Sequence, residues 1–77
     1  MKEVELMTKA ELKQMAFDFE SARNGSGDWF TAHLFRLILK ADNSNKDRLR
    51  EGFPAEVDFV EAWYVKGEDW LVRVLNS

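Results

Sequence analysis

Residues 30–41, FTAHLFRLILKA, constrain the fold more than any other stretch of this chain. At helical spacing Phe30, Leu34, Leu37, Ile38 and Ala41 form one stripe, and Phe35 and Leu39 widen it. An ordinary surface helix buries an apolar arc of about 100°. The broader arc here predicts a central helix, covered on more than one side by other helices. Trp29, His33, Arg36 and Lys40 are left on its polar face. Asp28 is the expected N-cap.

The segments on either side read as further helices, divided by polar punctuation. Thr8-Lys9-Ala10-Glu11 has the spacing of a capping box, in which hydroxyl and carboxylate each take up a free backbone N–H. Met7 and Leu12 sit at the staple positions around it. Leu12, Met15, Ala16, Phe19 and Ala22 follow on one face, and Asn24-Gly25-Ser26-Gly27 supplies a left-handed stop. Asp42 and Asn43 are expected to end the central helix. Ser44 with Asp47 then resembles a capping box for a helix of about two turns, with Leu49 pointing inward. Gly52 ends it, and Pro54 opens the next helix, where its missing N–H costs nothing. Phe53, Val57, Val60 and Tyr64 share a face of that helix. Phe59 and Trp63 lie beside it, and Gly67 is the expected terminator.

The two ends are open to two readings. Val4 and Leu6 alternate with charges, and Trp70, Val72 and Val74 alternate with Leu71, Arg73 and Leu75, so a short two-stranded ribbon of the termini is one expectation. Asp69-Trp70-Leu71 echoes Asp28-Trp29-Phe30, which favours a short C-terminal helix. The expected fold is all-α: a single small domain over residues 1–77, a bundle of three to four helices.

Composition sets limits on function. A chain of 77 residues buries only about 60% of its unfolded surface, and six Phe, three Trp and one Tyr are its means of building a core. Without cysteine it has no disulfide, thiolate nucleophile or thiolate metal site. No run approaches the roughly 18 apolar residues of a membrane span, and the charged opening MKEVELMTKAELK is unlike a signal peptide. A cytoplasmic, membrane-free setting is expected. The cluster DNSNKD suggests calcium but fails in both registers: from Asp42, positions 5, 6 and 12 are Lys46, Asp47 and Phe53, where oxygen, Gly and Glu are required. His33 has no second histidine to complete a zinc site. No carboxylate pair or phosphate loop has the spacing that catalysis needs. No catalytic residue, metal or cofactor is expected.

Residues 30–63, FTAHLFRLILKADNSNKDRLREGFPAEVDFVEAW, resemble small uncharacterised bacterial proteins carried on phages and other mobile elements. The shared pattern is an apolar helix, KAD, a short basic helix and FP-x-E-V. The resemblance implies a bacterial or phage cytoplasmic setting and carries no activity, cofactor or site residue with it.

Two surfaces are candidates for function. Phe17, Trp29, Phe59 and Trp63 lie off the apolar stripes; exposed together, they would anchor a protein partner, since aromatics dominate interface energetics. The expected function is therefore a non-enzymatic protein–protein interaction module with an acidic rim, self-association being one form of it. The alternative is a nucleic-acid-binding accessory protein using Arg36, Lys40, Lys46, Arg48 and Arg50. These cations give residues 36–50 a local charge of +3, against −5 over residues 51–69. Net charge of −3 opposes that alternative. Adjacent blocks of opposite sign more simply predict two helices attracting each other.

Overall fold

A computed structural model describes residues 7–77. Four helices follow in order: α1 (Lys9–Asn24), α2 (Phe30–Lys40), α3 (Asn43–Gly52) and α4 (Pro54–Leu75). No strand occurs among the described residues. Trp70 to Leu75 are helical, so the ribbon is not formed by that segment; Val4 and Leu6 lie outside the described residues.

Local chemistry sets most boundaries. Both halves of the Thr8–Glu11 capping box are made. Gly25 caps α1 in the left-handed region at φ 72°, and its N–H reaches the carbonyls of Ser21 and Ala22. Pro54 occupies the first turn of α4. Gly67, at φ 84° and ψ −177°, breaks α4, and a last helical segment runs on to Leu75. Two expected caps are displaced. Trp29, not Asp28, holds the N-cap position of α2, without a side-chain cap bond. Asp42, not Ser44, caps α3 by accepting the Asn45 N–H at 2.9 Å. The helix therefore starts at Asn43 and spans ten residues, longer than the expected two turns.

The core lies between α1, α2 and α4. Phe19 is its hub, with ring centroids 5.4 Å from Phe35, 5.5 Å from Phe59 and 5.2 Å from Trp63. Edge-on aromatic contacts of this kind add to area burial. Ala16 and Ala22 of α1 and Ala32 of α2 add small buried side chains, and Val57, Val60, Trp70, Leu71 and Val74 close the core from α4. Two predicted faces are rotated. On α2 the buried residues are Ala32, Leu34, Phe35 and Ile38, whereas Phe30 and Leu37 are exposed. On α4 Phe59 is buried completely and Tyr64 is exposed.

Helix α3 has no buried residue. It lies along α4 through charge: Arg50 meets Asp58 at 3.5 Å and Glu61 at 3.3 Å, and Lys46 lies 3.8 Å from Glu61. The basic and acidic blocks of the sequence are thus brought together.

Candidate interaction surface

Of the four expected aromatic anchors, the structure joins two. Phe17 on the outer face of α1 and Trp29 at the start of α2 stack with centroids 6.0 Å apart and planes within 4°. They remain 53% and 41% exposed. Trp29 reaches back across the α1–α2 corner because its backbone is extended at φ −116° and ψ 168°. Its Nε1–H donates to Asp18 Oδ1 at 3.1 Å, and Gln14 donates to the same oxygen. Asp18 is itself buried, an acid that helical periodicity alone did not assign to the interior.

The corner is held from two more directions. Gly27 must lack a side chain: a Cβ there would sit 2.6 Å from the Cβ of Ala32 and 3.3 Å from the Trp29 ring. Arg36 ties the end of α1 to the loop, donating from Nε to the Ala22 carbonyl at 3.1 Å and from Nη2 to the Gly27 carbonyl at 2.7 Å. The guanidinium adds a second donor to the Ala22 carbonyl, which already accepts the Gly25 N–H, and complements the end of the helix dipole. The aromatic pair is therefore pre-organised, so a partner has little side-chain freedom left to freeze.

The other two anchors fall elsewhere. Phe59 is a core residue and presents nothing to a partner, because its ring is enclosed by Phe19, Phe35 and Trp70. Trp63 is half-buried against Phe19; its Nε1–H donates to Glu68 at 2.9 Å, and the Arg23 guanidinium sits 5.0 Å from its ring. Lys13, Gln14 and Ala10 share a shallow groove with Phe17, while Glu68 stands at Trp63.

The basic block is largely consumed inside the fold. Arg36 serves the α1–α2 corner, and Lys46 and Arg50 serve the seam with α4. Only Lys40 and Arg48 of the five make no ion pair or side-chain hydrogen bond among the described residues, and both are exposed. Both line a recess between α2 and α3, with Leu37, Ala41, Asn45 and Leu49.

The apolar surface of α2 was hidden from sequence reasoning. Phe30 is 67% exposed and Leu37 54%. The signal for it was the width of the stripe itself, too broad for the neighbours a chain of this length can supply. His33 is exposed, within 3.1 Å of both Asp28 Oδ1 and an Arg36 nitrogen. Among the described residues no three His, Cys, Asp or Glu side chains gather into a metal-binding group, and no helix is long and apolar enough to cross a membrane. Set against protein-family models, curated protein sequences and solved structures, the chain matches none of them.

Proposed function

We propose that this chain is a non-enzymatic protein–protein interaction module whose anchor is the Phe17–Trp29 stack. The observation that carries the reading is the pairing of two large aromatics outside the core, half-exposed and pinned by the Asp18 carboxylate. Rings held in this way supply contact area at low entropic cost, the property that makes aromatics recurrent interface anchors. Self-association is the simplest form of the proposal, and a heterologous partner is the other. A cytoplasmic bacterial or phage setting is part of the same proposal; it rests on the cysteine-free composition and the likeness of residues 30–63.

The nucleic-acid alternative has less in its favour. A phosphate backbone is held by several cations at once, and three of the five candidates already have intramolecular partners.

The test is sedimentation over a range of concentrations together with capture from bacterial cytoplasm, comparing the wild type with Trp29→Ala and Phe17→Ala. Support would be a dimer, or a captured partner that rebinds as a purified protein, with affinity falling at least about tenfold in both variants. A strict monomer with no partner, or one whose association ignores both substitutions, would leave the proposal without support. Mobility shift of a short DNA duplex at low salt checks the alternative.

A further inference from the structure

The elbow between α2 and α3 holds a second surface, separate from the aromatic stack. Leu37, Ala41 and Leu49 form an apolar recess of ≈ 390 Å³, bordered by Lys40, Arg48 and Asn45. Phe30 lies two helical turns before Leu37, on the same face because seven residues nearly complete two turns. Its ring lies 5.8 Å from that of Phe53. An apolar strip thus runs along the outside of α2 and ends in a recess with cations at its border.

The charges decide what fits there. Among the described residues no carboxylate lines the recess. Of the acids that flank it in sequence, Asp42 caps Asn45 and Asp47 pairs with Arg50. Arg50 and Lys46 are turned onto Asp58 and Glu61 on the opposite side of α3. In a chain of net charge −3, this corner is a local exception that presents two cations without a partner among the described residues, over an apolar floor.

We propose that the α2–α3 elbow docks an acidic amphipathic helix of a protein partner. Its apolar residues, spaced three or four apart, lie along Phe30, Leu37 and Leu49, and its carboxylates reach Lys40 and Arg48. Recognition of this kind lays an apolar helix face into a groove, with charge fixing orientation and rejecting basic competitors. A nucleic acid would use the same cations but would gain little from the exposed leucine.

Selection of a displayed random peptide library on the purified full chain tests this directly. The enriched peptides should carry net negative charge with apolar residues at three- or four-residue spacing. Each should bind at least about tenfold more weakly to the Lys40→Glu/Arg48→Glu double variant and to Leu37→Asp. All three positions are exposed, and an unchanged helical circular dichroism spectrum verifies folding. Trp29→Ala should leave these peptides bound, which separates the elbow from the aromatic stack. Enrichment of neutral or basic peptides, or binding that ignores the three substitutions, would overturn the proposal. So would a short DNA duplex that binds at low salt and is lost in the double variant, while no acidic peptide is enriched.

Discussion

Helix α3 and the other three helices are held by different forces. Between α1, α2 and α4 the contacts are apolar and enclosed, centred on the completely buried Phe19, Phe35 and Phe59. Between α3 and α4 they are ionic and half-exposed, with Leu49 the chief apolar contribution from α3. The ionic seam is also incompletely matched, since Asp58 Oδ2 is buried with no hydrogen-bond partner. Partly exposed ion pairs typically contribute 0 to about 1 kcal/mol each, whereas a buried Phe contributes several times that. The first interface supplies stability. The second sets the register of α3 on α4 and leaves α3 the element most easily released. The proposed elbow site spans that divide, one wall on the firmly held α2 and the other on α3.

Truncating Phe59, which packs against the Phe19 hub, should have the largest effect. Phe59→Ala leaves a cavity between three aromatic neighbours and should cost about 3–5 kcal/mol. That is a large part of the roughly 4–12 kcal/mol that a domain of this size has in total. The matching change on the other interface, Leu49→Ala, should cost about 1 kcal/mol, because its side chain is only half-buried. Urea unfolding followed by circular dichroism compares them. Equal costs would show that α3 belongs to the cooperative core.

A second substitution tests how the end of α4 joins that core. Gly67 sits in a backbone region open essentially to glycine alone, and a residue forced into it carries about 1–3 kcal/mol of strain. Space around a Cβ there is open, so crowding is not the cause. Gly67→Ala should lower stability by that amount and loosen Trp70, Leu71 and Val74, which pack beyond the break. Near-ultraviolet circular dichroism of the tryptophans should weaken before the helical signal does. An unchanged melting temperature would mean that the backbone relaxes to another conformation without cost.

These two sites also mark what could be read from the sequence and what could not. Gly25, Pro54, Gly67 and the Thr8–Glu11 box were legible because each acts on its own backbone within a few residues. Caps offered by competing neighbours were less so: Asp42 preceded Ser44 and took the free N–H, while Asp28 turned towards His33. The core faces of α2 and α4 depend on distant partners. Every side of α2 but one is apolar, so periodicity could not decide between Phe30 with Leu37 and Ala32 with Phe35. What decides is the close approach of α1 at Gly27 and Ala32, where only the smallest side chains fit. The same applies to the candidate site. Phe17 and Trp29 could be seen to lie off the apolar stripes, but their stacking depends on a corner that brings Trp29 back over α1. The cations could be counted, but not how many α4 would neutralise.

The smallest effect discriminates best between the two interfaces. Arg50 makes contacts with Asp47, Asp58 and Glu61, and Arg50→Gln removes the charge while keeping much of the side chain. If α3 is held mainly by this seam, its local opening should become easier by about 0.5–1 kcal/mol, and amide exchange within residues 46–50 should quicken about two- to fivefold. Exchange in α1 and α2, governed by the apolar core, should scarcely change. High salt acts on the same charges without altering the sequence. At about 1 M the screening length falls to about 3 Å, so wild-type α3 should approach the behaviour of the variant, while the variant itself responds less. Hydrogen exchange read by mass spectrometry resolves both comparisons. Faster exchange shared by all four helices, in the variant or in salt, would mean that the ionic seam and the aromatic core open together. The elbow would then open only together with the core.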